Sequence, residues 1–282
     1  MKSLYSLENA ILKVDIRKFF DNIDKGILFK LLDEYEIDDY VYSLIRQSLN
    51  PTLKDNEFTE EALNQINNGI PQGNAISAVL SNLMLLEFDK LSKFKELKMI
   101  RYADDMVFIC KDSSEAHSIL EWLTEYLYNE RKLTIHSLSS GKDAKTIIMS
   151  NLKKKRLLYL GVEFDGENLF PTKQCQAQLK YRIKSIIALE EISPEQRIED
   201  IKTCISQWCG YYAFTNIKNK DLNRIGIIIN KLCKNAFGEK WQQCNINRQF
   251  TKYRKRQNRK GLKRILPAVR FGEDYRWLMV YE

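Results

Sequence analysis

Two adjacent aspartates, Asp104 and Asp105, stand between two apolar, strand-like runs, Lys98–Tyr102 and Met106–Cys110, and no other feature constrains the fold as tightly. Apolar runs split by a short polar insert predict a β-hairpin with an acidic tip. Such a tip is ordinary turn chemistry when it stands alone. A further strand-like run, Leu12–Ile16, carries a third carboxylate, Asp15, near its end. A hairpin tip beside that strand end can bring three hard oxygen ligands to one point. Mg2+ suits such ligands and keeps part of its water shell for substrate phosphates. Two ions about 3.5–4 Å apart can activate an attacking 3′-hydroxyl and stabilise a leaving oxygen.

Around these segments the periodicity predicts helices over 20–40, 76–91 and 114–128, with Asp21 or Asp24 and Ser113 or Ser114 available as caps. A polar connection with a short helix is expected over 51–69. Thr146–Met149 and Leu157–Phe164 read as strands. From Gln174 onward the pattern turns helical, over about 174–191, 194–215 and 220–237. The expected organisation is one α+β domain over 1–170 followed by a helical domain over 171–282. No apolar run is long enough to span a membrane, and no signal peptide is evident, which predicts a cytoplasmic protein without membrane partners. The six cysteines form no C-x-x-C pair, and His117 and His136 lie far from the C-terminal ones, so they read as reduced, mostly buried thiols.

The net charge of +8 is unevenly placed. Residues 201–282 hold 18 Lys and Arg against 5 acids, whereas the first 200 hold 27 against 32. Within 248–264, nine of seventeen residues are cationic and none is acidic, with Phe250 and Tyr253 interleaved. Phosphate neutralisation with occasional stacking is how nucleic-acid backbones are held. Arg248, Lys252, Arg254, Lys255, Arg256, Arg259 and Lys260 are the candidate contacts.

The motifs together resemble reverse transcriptases. Asp15-Ile16-Arg17-Lys18-Phe19-Phe20-Asp21 looks like motif A, and Gly69-Ile70-Pro71-Gln72-Gly73-Asn74-Ala75-Ile76-Ser77 looks like motif B. Arg101-Tyr102-Ala103-Asp104-Asp105 looks like motif C, Lys145-Thr146 like the end of motif D, and Tyr159 to Phe164 like the primer-grip motif E. Five motifs in family order are closest to the bacterial group II intron-like branch. The resemblance implies a right-hand polymerase palm, a ferredoxin-like antiparallel sheet with helices, and an α-helical thumb. It implies catalysis by Asp15, Asp104 and Asp105. Two Mg2+ ions, for which Mn2+ can substitute, would be held by these residues and Ile16. It places Phe19, Phe20, Gln72, Gly73 and Lys145 at the nucleotide, with Phe20 as the gate that excludes a 2′-hydroxyl. Leu160 and Gly161 fall at the primer grip. The implied partners are an RNA template, a DNA or RNA primer and dNTPs, with a structured noncoding RNA as a further candidate.

Two departures stand out. Only 14 residues precede Asp15, so the fingers expected there are largely absent. A fragment, a second chain or homo-oligomer that supplies fingers, and a reduced palm–thumb RNA-binding module all stay open. Ala78 stands where many relatives carry Pro, a variant that resembles defence-associated reverse transcriptases and makes antiviral defence the expected role.

Overall fold

The computed structural model describes residues 9–49, 69–141, 144–260, 268–270 and 276–278. The chain divides into two compact units, one ending at Asn151 and the other beginning at Leu152. The expected helix over 51–69 lies, except for Gly69, outside the described residues.

The first unit is built on a four-stranded antiparallel sheet in the order β2-β3-β1-β4: β1 Ala10–Asp15, β2 Met99–Tyr102, β3 Asp105–Cys110 and β4 Ile147–Ser150. β3 lies between β1 and β2 and runs against both, so β1 and β2 form a split β-α-β pair. Side chains alternate across a strand, and here the two faces have different tasks. Leu12, Val14, Met106 and Phe108 face a core shared with the helices. Lys13, Asp15 and Asp105 fall on the other face, where Ile11, Val107, Ile109 and Met149 bury the far end of the sheet.

The helices of this unit are α1 Phe19–Asn22, α2 Lys25–Asp33, α3 Asp39–Leu49, α4 Ala75–Met84, α5 Leu86–Phe94 and α6 Ser113–Arg131. The single helix expected over 20–40 is thus broken. Asp24 leaves helical geometry and accepts from the Ile27 N–H at 2.9 Å, capping α2 and ending α1. Likewise Asp112, not Ser113 or Ser114, caps α6 by accepting from the Glu115 N–H. The expected helix over 76–91 is interrupted at Leu85, which is fully buried.

The second unit opens with a three-stranded antiparallel sheet, β5 Leu157–Tyr159, β6 Val162–Phe164 and β7 Leu169–Pro171. The one strand expected over 157–164 is therefore a hairpin. Leu160 and Gly161 form its turn with φ of 46° and 74°. Helices α7 Lys173–Ile187, α8 Pro194–Tyr212, α9 Asn219–Phe237 and α10 Ile246–Lys260 follow, with β8 Ala268–Arg270 and β9 Arg276–Leu278 as a two-stranded ribbon. Val162 joins a core with Leu179, Ile205, Trp208, Ile229 and Phe250. That packing puts the 157–171 sheet with the helices, upstream of the boundary near 170 set from sequence. Among the described residues all six cysteines are free thiols, five of them buried. No described helix is long and apolar enough to cross a membrane.

Candidate active site

The β1–β3 register makes Asp15 and Asp105 direct cross-strand partners. Partners in an antiparallel ladder have Cα atoms about 4.5–5.5 Å apart. Asp104 occupies the two-residue turn between β2 and β3, after Ala103, whose φ is 49°. Ile16 continues β1 as a bridge to Ile135, with its side chain buried.

This crowding of carboxylates changes their acidity. Burial, opposed by Lys13 and reinforced by Asp15 and Asp104, pushes Asp105 up to about 6. Burial and the Asp15 charge raise Asp104 as well. Basic side chains approach the crowding from three sides. Lys13 Nζ stands 3.4 Å from Asp105 Oδ1. Lys145 Nζ is 3.3 Å and His136 Nε2 3.6 Å from Asp15 Oδ2. Among the described residues no three metal-ligating side chains are gathered closely enough to hold an ion as they stand. The donor chemistry nevertheless fits Mg2+: carboxylate oxygens from two adjoining strands, already drawing in positive charge, with phosphates and water to complete the shell.

A buried network supports the acidic turn. Arg101 is 6 % exposed. It pairs with Asp89 of α5 through Nε at 2.8 Å and through its Nη2. Its Nη1 donates to Asn82 Oδ1 at 3.1 Å and to the Ala103 carbonyl at 2.9 Å. One guanidinium therefore ties α4, α5 and the strained turn together. Burial pushes Asp89 up to about 6 against the pull of Arg101.

The segment over 69–73 is stitched to α1. Ile70 N–H donates to the Phe20 carbonyl at 2.8 Å, and Gln72 Nε2 donates to Asp21 Oδ1 at 3.3 Å. Gly69 has φ of 74°, and a Cβ there would stand 2.3 Å from the Phe20 carbonyl oxygen. Only glycine fits this approach. Gly73, with φ of 87°, opens onto free space within 4 Å. The two phenylalanines separate by role. Phe19 is 2 % exposed and belongs to the core, so its placement among nucleotide contacts is corrected. Phe20 is half-buried and meets it edge-on at 5.6 Å.

The remaining candidates lie in the second unit. Gly161 turns against Cys175 Sγ and Tyr212 Oη, each 3.2 Å from where a Cβ would stand. On α10, Ile246, Phe250 and Tyr253 repeat at helical spacing and face the core, so the two aromatics are not free to stack on bases. Tyr253 instead shares a hydrogen bond with Ser206. Arg248, Lys252 and Lys255 repeat on the exposed side beside a groove of about 580 Å3. Arg254 turns inward, donating to the carbonyls of Ala213 at 3.3 Å and Thr215 at 2.7 Å, and is thereby taken out of the phosphate-facing set. Arg256, Arg259 and Lys260 lie on the helix, their side chains outside the described residues.

Sequence reasoning missed Lys13, His136 and Asp89. It placed Gly69 in motif B and Asp21 in motif A without the contacts they make here.

The fold is mixed α+β, with antiparallel sheets followed by helices. A family model described as reverse transcriptase (RNA-dependent DNA polymerase) matches residues 4–164, more than half of the chain. The chain belongs to that family. It is 36% identical over 94 residues to a COX1/OXI3 intron 2 protein of Saccharomyces cerevisiae, a match that covers 32% of this chain and 10% of that protein. Among solved structures it is similar to telomerase from Candida albicans in complex with a fragment of telomeric RNA, with 11% identity and a TM-score of 0.40 over 88% of this chain and 46% of that one. Apo telomerase from Candida tropicalis gives 10% identity and a TM-score of 0.40 over 84% and 48%. The chain thus spans a small part of the intron protein and under half of the telomerase chains.

Proposed function

We propose that this chain is an RNA-directed DNA polymerase that adds dNTPs to a primer 3′-hydroxyl, the first unit serving as palm and the second as thumb. The observation that carries the reading is the register pairing of Asp15 with Asp105, with Asp104 in the adjoining turn. Asp15, Asp104, Asp105 and the backbone at Ile16 would hold two Mg2+, which supply charge neutralisation for the triphosphate and the attacking oxygen. Phe20, half-buried beside Phe19, would bar a 2′-hydroxyl with its ring. The open turn at Gln72 and Gly73 offers backbone to a nucleotide. Lys145, its ammonium mostly exposed beside Asp15, can give a proton to the departing pyrophosphate. Leu160 and Gly161 would grip the primer, and the exposed face of α10 would follow the duplex backbone. The setting we propose is antiviral defence, on the Ala78 variant of motif B. A structured RNA and a second chain that supplies fingers are candidate partners.

The pairing of Lys13 and Lys145 with two of the three carboxylates supports a second reading, a palm–thumb module that holds RNA without copying it. Incubating the protein with Mg2+, dNTPs and a DNA-primed RNA template separates the two. Extension is the expected result. Tight binding without any incorporation, also after adding a fingers-bearing partner, would establish the module instead.

A further inference from the structure

We infer that the second unit carries a groove for single-stranded nucleic acid, separate from the α10 face and beyond the polymerase reading. The groove, of about 620 Å3, lies where β6 and β7 meet α7 and α9. Its floor is apolar: Ile217 and Ile225 are buried and Ile228 half-buried. Its rim is cationic, with Arg156, Lys173, Lys180, Lys218, Lys220 and Arg224 set against Glu163 and Asp221. Arg156 donates to Glu163 at 2.9 Å, which cancels one cation and one acid. The other five cations make no ion pair among the described residues.

With Arg156 and Glu163 paired, the rim leaves five cations against one acid, Asp221, a positive edge that attracts an anion. Lys220 and Arg224 are four apart on α9 and so share one face of that helix. A cationic rim over an apolar floor also selects the form of the polyanion. A strand whose bases are free can lay a base on the floor while its phosphates meet the rim. A duplex hides its bases and presents only backbone, which a convex cationic helix face serves better. Phe170 lines the groove with one ring face covered by the Arg156 guanidinium, 4.6 Å from its centroid. The chemistry shared by RNA and DNA strands is sufficient for this site.

The test measures binding of a short oligouridylate, the matching oligothymidylate and a blunt RNA–DNA duplex across several salt concentrations. Lys220→Glu/Arg224→Glu is compared with wild type and with Lys252→Glu/Lys255→Glu on α10. All four positions are exposed, and thermal melts check the fold. The groove variant should lose at least about tenfold in strand affinity. Its salt slope should fall by roughly 1.4, two contacts at about 0.7 each. Duplex affinity and primer extension should hold within about twofold, and the α10 variant should show the reverse pattern. A preference for either oligonucleotide supports the groove and names its source. Unchanged strand binding in the groove variant overturns the inference. So does an equal loss of strand and duplex, while the primer-extension readout reports separately on the polymerase reading.

Discussion

The two units handle like charge in opposite ways. The first forces three carboxylates to one corner of a sheet, raises two of them, and balances them with Lys13 and Lys145. The second spreads its cations along exposed helix faces, where water screens them. Concentrated charge depends on register and can be destroyed by one substitution. Distributed charge follows from helical spacing and wears away gradually. The difference teaches where a single residue matters and where only a sum does.

Removing a corner carboxylate tests the concentrated side most severely. Asp104→Ala should lower primer extension on the order of a thousandfold, the scale for deleting one charge-stabilising group at a transition state. Melting temperature should hold or rise, because a raised carboxylate leaves. Retained extension would break the contrast outright.

Next in size is the support under that corner. Arg101→Met strands Asp89 in the interior and should cost about 3–5 kcal/mol in denaturant unfolding. Arg101→Met/Asp89→Leu should recover most of that stability, because a buried pair replaced by apolar groups is often neutral. Extension should not recover with it, because the Ala103 carbonyl still lacks its donor.

Gly69→Ala should cost about 2 kcal/mol or more, from left-handed backbone and the clash with the Phe20 carbonyl. A melt reads it, and dNTP KM should rise as α1 shifts. Phe20→Val should relax discrimination between dNTPs and rNTPs by about tenfold, the scale for steric selection in a pocket. An unchanged ratio would make Phe20 a core residue like Phe19.

The distributed side gives the smallest effects per residue. Arg248→Ala/Lys252→Ala/Lys255→Ala should flatten the salt slope of duplex binding by roughly 2–3 units. Arg254→Ala should leave that slope alone and instead destabilise the unit by about 2 kcal/mol, the worth of charged hydrogen bonds. A slope change in Arg254→Ala would erase the distinction between inward and outward cations.

How legible each unit was depends on the range of its interactions. The hairpin and β1 could be read because apolar alternation is local, and Asp104 and Asp105 fell between two such runs. Asp24 was one of two candidate caps and does cap a helix, but the break it makes was not foreseen, since the helical pattern continues through Leu32. The 157–164 hairpin was read as one strand because Leu160, a non-glycine at φ of 46°, hides the turn. Nothing near Arg101 in sequence announces Asp89 or Asn82, which reach it only once α4 and α5 pack beside β2. On α10 the cations were read as one set, and only helical phase separates Arg254 from Lys252 and Lys255.

The placement of β1 between β3 and β4 has a consequence for birth of the protein at the ribosome. Asp15 is paired with Asp105, and Lys13 with Ile147, so the strand made early must await partners made much later. At about 5–20 residues per second, β3 follows β1 by roughly 5–20 s. Closing so long a loop makes this pairing slow relative to helix formation. During that interval the nascent chain offers an apolar strand with unpaired edges, which invites mispairing or chaperone capture. The same delay means that the acidic corner cannot form before β3 has been made, and that its assembly reports the pairing of β1 with β3.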